Sequence, residues 1–408
     1  MKFSKLSQLF LVSSIGLLTA TLFTACEIQT IDYVFVADSA GSGTSSAGQI
    51  STYDADSLSG ALRVGAPSVP SGGVSPIAMV VTPDYANLYV ANQGNNSVVH
   101  FAIAGNGILT QKDLVTTSTK PVSLAVNSAG SYLYVISGTA SATLTEYSLS
   151  SGTIGSATSQ ITLSVPGYAS DTLIPTGITV LANNATVSGN AVYVTAYDQS
   201  AYNPGGITTS TANPGWVFGY TIGSGGALTA VSGSPWRAGV KPSAIASDPT
   251  DRFVYVTDYA SNQLIGYTIQ SGSILNFLIN GPFRAGNEPG AIVIDPRGKY
   301  IYVTNSLDST VAAWTIDLST GTPAGTANVV GSAANTTDTQ PVSLVVDPAL
   351  GRFIYTANHL GNSVSGFRLD PDNGTLSTTQ ATPYITGSQP TAVVAVPHGN
   401  HSLQAVTP

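Results

Sequence analysis

Only 13 of the 408 residues are Lys or Arg, yet several of them share one setting. PWRAGVKP at 235–242 and PFRAGNEP at 282–289 each place an Arg, then a charged residue directly before a Pro. This gives Arg237, Lys241, Arg284 and Glu288, and Lys120 holds the equivalent place in KP at 120–121. Arg forks suit two-point contact with a carboxylate or phosphate. One reading is therefore a cationic rim for a small anionic or sugar-like ligand. The plainer reading is that Arg stems cover apolar edges and pair with nearby acids. A second group follows a repeated apolar phrase: Asp258 and Tyr259 in TDYASN, Asp308 in NSLDS, and Asn358 and His359 in ANHLGN. The imidazole of His359 could take a proton from a water attacking a carbonyl group. A lone loop His is more commonly just solvated.

Other chemistry is absent from the residue pattern. The remaining histidines, His100, His398 and His401, are scattered and have no metal-ligand spacing. There is no G-x-S-x-G elbow, no phosphate-binding P-loop and no dinucleotide fingerprint. No cofactor or metal is expected. The net charge of −8 and the pI near 4.7, with no basic stripe, exclude a nucleic-acid role.

The chain start, MKFSKLSQLFLVSSIGLLTATLFTAC, has two early lysines, an apolar stretch and small residues before Cys26. That is a secretory signal pattern, and LFTAC resembles a bacterial lipobox. The reading is a signal peptide over 1–25, a lipidated Cys26 opening a short linker over 26–31, and one domain over 32–408. Cys26 is the sole cysteine, so no intramolecular disulfide can form. The expectation is an exported monomer held at the cell envelope by its lipid, at the outer membrane or periplasmic face as Glu27 signals. Ordinary signal cleavage beside a chance Cys is the alternative.

What must position the candidate residues is a repeat. YVTN-like phrases recur at 33–38, 89–92, 134–137, 193–196, 255–258, 301–305 and 355–358. Each of the six later copies follows a Pro-led apolar strand, opened by Pro76, Pro121, Pro175, Pro242, Pro289 or Pro341, and Pro390 opens a seventh such strand after the last copy, at spacings of 45 to 67 residues. Each copy also precedes a strand that carries an aromatic: Tyr53, Phe101, Tyr147, Tyr220, Tyr267, Trp314 or Phe367. Four short strands in a period of ~40–50 residues make a propeller blade, which buries its two faces only against neighbours. The chain begins in a second strand and ends, at PTAVVAVP (390–397), in a lone Pro-led strand. The predicted fold is all-β: a seven-bladed propeller closed by a composite of the N- and C-terminal strands.

YVTN, DPRGK at 295–299, and the units FAIAGNGIL, YTIGSGGAL and FRLDPDNGTL resemble the YVTN-repeat and lactonase-like propellers over about 32–400. That family includes 6-phosphogluconolactonases and carboxymuconate-lactonising enzymes. The resemblance implies a lactone hydrolase, with non-catalytic binding of a glycan, anion or protein as the alternative. Family enzymes carry Arg and His just after one inner-strand Pro, where this chain has Gly290 and Ala291. The resemblance therefore brings no catalytic residue with it. The loop-bearing face should hold any site. A long insertion there, at 196–216, offers Tyr197, Asp198, Tyr202 and Trp216 for stacking on a sugar, unless it is merely tolerated.

Overall fold

The Tyr and Val residues of each repeated phrase alternate with a period of two, which sends successive side chains to opposite faces of a strand. In the computed structural model both faces are covered. Tyr302 and Val303, like Tyr255 and Val256, are fully buried. The structure describes residues 29–40, 47–167, 172–182, 190–201, 214–325 and 335–399.

Seven antiparallel sheets form the molecule. Blade 1 takes 30–64 and is completed by 388–397; blades 2 to 7 take 76–116, 121–162, 173–230, 242–277, 289–325 and 341–378. Each innermost strand packs on the next, and Ser388–Pro397 packs on both Pro341–Val346 and Pro76–Val81, so the ring is shut. Closure follows the predicted pairing. Thr30–Ala40 runs antiparallel to Ser388–Pro397, with Tyr33 opposite Val396 and Val36 opposite Val393. The third-strand aromatics are all buried, from 0% exposure at Tyr267 to 7% at Tyr147. They fill the widening gaps between blades, where each aromatic removes on the order of 150–250 Å² from water.

In five blades the tyrosine of the phrase also latches blade to blade, whereas Tyr134 of blade 3 makes no such bond. The latching hydroxyl donates to a carbonyl in the turn between the third and fourth strands of the next blade. The pairs are Tyr89 to Gly152 (2.6 Å), Tyr193 to Ser273 (2.6 Å), Tyr255 to Gly321 (2.6 Å), Tyr302 to Gly374 (2.9 Å) and Tyr355 to Gly60 (2.9 Å). Blade 1 has Phe35 in this slot, and Tyr33 reaches Gly105 O instead (3.2 Å). Each latch satisfies a polar group between sheets and contributes about 1 kcal/mol net.

The last residue of the phrase does more than tip the chain into the third strand. It also ties down the connection arriving from the preceding blade. Asp258 accepts from Val240 N (2.9 Å) and Lys241 N (2.9 Å), and Asn305 accepts from Gly286 N (3.1 Å). At the opposite end, Asp295 of DPRGK accepts from Lys299 N (2.7 Å) and Tyr300 N (2.8 Å), with Gly298 at φ 65 completing the turn.

Candidate functional site at the channel mouth

Every inner strand begins with a fault in its ladder. Register shifts follow Pro76, Pro175, Pro242, Pro289 and Pro341, and lie beside Pro121 and Pro390. Proline has no N–H to give the ladder, so a bulge there costs little. The residue after each Pro is the one pushed out of register. Those seven residues, Ile77, Val122, Thr176, Ser243, Gly290, Val342 and Thr391, all line a cavity of about 480 Å³ on the ring axis. Ser123, Ser343, Gln340 and His359 join them. The backbone just outside is held in an unusual form: Ser75, Glu288, Gln340 and Gln389, each before its Pro, have φ between 52 and 58. A residue before proline normally prefers extended backbone, so this conformation is imposed by the blade contacts.

His359 follows Asn358 at the end of the second strand of blade 7 and is half-buried. Its backbone N–H donates to Gln340 O (2.8 Å), and its Nδ1 lies 3.2 Å from Pro390 O. A carbonyl only accepts, so Nδ1 carries the proton and neutral His359 keeps a lone pair on Nε2. Ser306 holds the same position in blade 6, and its hydroxyl donates to Pro341 O (2.9 Å).

The expected cationic rim separates into two places. Lys241 is half-buried; its ammonium lies 4.4 Å from the centre of the Tyr259 ring and 5.7 Å from that of Tyr197. Burial lowers its pKa, and the negative charge of Glu288 works against that shift. Asp258, behind it, is fully buried, and backbone N–H groups take its carboxylate. Glu288 N–H donates to Asn262 Oδ1 (2.9 Å). Lys120 is exposed before Pro121.

Arg237 and Arg284 stand elsewhere. Both are exposed and occupy short outer segments, Trp236–Arg237 and Phe283–Arg284, that pair with third strands. Neither lines the channel cavity. Arg237 lies 5.2 Å from the centre of the Trp216 ring and borders an outer groove of about 190 Å³ with Phe277 and Pro282. The equal spacing of the two motifs reflects this shared outer strand rather than the mouth.

Of the insertion, Tyr197, Asp198 and Trp216 are described, and Tyr202 lies outside the described residues, as do Cys26 and His401. Asp198 accepts from Ser200 N (2.9 Å) and Ser200 Oγ (2.7 Å), and Trp216 is buried. Asp308 binds Asn287 through its backbone N (2.7 Å) and side chain (2.8 Å). His100 is buried between Asp113 (2.8 Å) and Asn87 (2.9 Å), and His398 packs on Tyr33 with ring centres 5.1 Å apart. Among the described residues no cluster of His, Cys, Asp or Glu could hold a metal. Reading for charge missed the bulge ring; its signal in the sequence was the residue directly after each repeated Pro.

With this geometry in view, the family model described as "Lactonase, 7-bladed beta-propeller" matches residues 21–170 and 229–403. The chain belongs to the seven-bladed lactonase propellers. No curated protein matches it. A solved putative 6-phosphogluconolactonase from Bacteroides uniformis is 17% identical, with a TM-score of 0.70, covering 90% of this chain and 100% of its own. A periplasmic gluconolactonase from Pseudomonas aeruginosa is 18% identical, with a TM-score of 0.69, covering 90% and 99%. Such identities establish a shared fold, and function must come from the site.

Proposed function

We propose that this propeller hydrolyses a lactone at the channel mouth, with His359 as general base. The observation that carries the reading is the fixed imidazole: Nδ1–H is held by Pro390 O (3.2 Å), and His359 lines the cavity. In the reaction Nε2 takes a proton from water while the resulting hydroxide adds to the lactone carbonyl carbon. The ring C–O bond then breaks, and the departing ring oxygen recovers the proton from the imidazolium. The product is an open hydroxy acid. The developing oxyanion needs donors. Gln340 offers its side-chain amide, and Ser343 Oγ, already accepting from Val393 N (3.2 Å), keeps its own proton to give.

The N-terminal pattern supports export and anchoring of the chain at the bacterial cell envelope through a lipidated Cys26. Binding without turnover is the competing reading. It is favoured by Ser306, which makes the same latch to the next blade's Pro carbonyl (2.9 Å) with no catalytic chemistry.

His359→Asn separates the two. The Asn side-chain amide can still donate to Pro390 O, but it offers no base. The expected result is a fall in kcat of about 10²-fold or more with a similar KM and an unchanged thermal midpoint. Wild-type turnover retained in the variant removes His359 from the chemistry. No turnover by the wild type on simple sugar lactones favours the binding reading.

A further inference from the structure

Four of the polar side chains around the channel turn to neighbouring blade groups rather than into it. Ser243 Oγ donates to Pro289 O (2.6 Å) and Thr391 Oγ1 to Pro76 O (2.8 Å). His359 Nδ1 donates to Pro390 O (3.2 Å), and Thr176 Oγ1 meets Thr195 Oγ1 (2.9 Å) and Thr195 O (3.3 Å). A hydroxyl has one proton and two lone pairs, and a neutral imidazole has one of each. With the protons committed to blade carbonyls, lone pairs are what these groups turn to a ligand. The remaining wall is mainly Ala, Val, Ile, Met and Gly, with Ser123, Gln340 and Ser343 as its few neutral donors, and among the described residues no Lys, Arg, Asp or Glu lines the cavity. At the rim, Lys241 lies over the rings of Tyr259 and Tyr197 and is coupled to Glu288.

We infer that the channel selects an uncharged ligand rich in hydroxyl donors and turns away phosphorylated or carboxylated ones. The inference rests on the hydrolytic reading and names its substrate class: a neutral polyhydroxylated lactone. An anion entering this wall sheds its water and meets few donors in return. The hydroxyls of a neutral sugar meet acceptors at the positions of Ser243, Thr391 and Thr176. The same asymmetry clears the site after reaction. The hydroxy acid ionises at neutral pH, and the lone pairs that accept a lactone's hydroxyls repel the carboxylate.

The test uses the purified mature protein with glucono-1,5-lactone and its 6-phosphate, with spontaneous hydrolysis subtracted. The expected kcat/KM is higher for the neutral lactone by about tenfold or more. Faster turnover of the phosphate, or equal turnover of both, overturns the inference and leaves the hydrolytic reading standing. If neither is hydrolysed, the hydrolytic reading fails, and thermal-shift titration with 1,5-anhydroglucitol and its 6-phosphate still decides the ligand class. Protection by the neutral compound upholds it; protection by the phosphate, or by neither, overturns it. A second variant, Ser123→Lys, puts a cation into the wall and should raise the phosphate's relative kcat/KM by about tenfold. An unchanged ratio in a folded variant counts against the electrostatic argument.

Discussion

Ring closure should weaken as pH rises, and Asp38 shows by how much. It lies near the end of Thr30–Ala40, where that strand pairs with the C-terminal one, and it is fully buried. Burial pushes its carboxyl from 3.8 up to about 6, while hydrogen bonds from Ser51 and Thr386 and from the Gly387 backbone pull the other way. The Ser51 and Thr386 contacts are 2.8 Å and 3.1 Å. A raised acid holds a proton in the folded state that the unfolded chain has already released. Its contribution is therefore fully present below pH 3.8, declines as pH rises, and is lost above about 6. The gap between 3.8 and about 6 corresponds to about 3 kcal/mol. Asp38→Asn removes the titration and keeps the shape, since an amide can accept from one hydroxyl and donate to the other. Urea unfolding of both proteins should be followed from pH 4 to pH 7.5. The wild type should lose stability relative to the variant by about 2.5 kcal/mol across that range, with most of the change below pH 6. Asp32 and Asp347, whose carboxyls burial also raises, steepen both curves alike and cancel in the difference. A difference that stays constant with pH would refute the assignment of a protonated Asp38.

Other outcomes follow from the same structure and from the N-terminal sequence. Tyr355→Phe removes the latch to Gly60 O (2.9 Å) at the closing seam. It should cost about 1–2 kcal/mol in urea unfolding, because the carbonyl left behind is buried. A neutral result would assign the tyrosine's value to its ring alone. Cys26→Ser should release the protein from the membrane fraction into the soluble envelope fraction, and mass spectrometry of the wild-type N-terminus should find acyl chains on Cys26. An unmodified Cys26, or a mature chain starting elsewhere, would leave ordinary signal cleavage as the account.

The blades were legible because a blade is local. Within 289–316 the sequence writes a Pro, an apolar run, a DPRGK turn, YIYVTN and a second turn, and each piece folds where its neighbours in the chain put it. Closure was legible as well, because a chain that starts with a second strand and ends with a first has one way to complete its sheet. Charge was a poorer guide to the channel wall. Arg237 and Arg284 looked like rim residues because each precedes an inner-strand Pro by a few residues. That short stretch contains an extra outer segment paired to the third strand, and it carries both side chains to the periphery.

The sequence alone therefore determined the number of blades, their order and the strand that shuts the ring, since period-two patterning and turn residues act over a few positions. The tertiary structure alone decided the channel. Its wall takes one displaced residue from each blade, as far apart in the chain as Ile77 and Thr391. Which way a hydroxyl proton turns there depends on a carbonyl in the neighbouring sheet, as Thr391 depends on Pro76 (2.8 Å). Local spacing holds no record of that neighbour, so the polarity of the site appears only when the ring is closed.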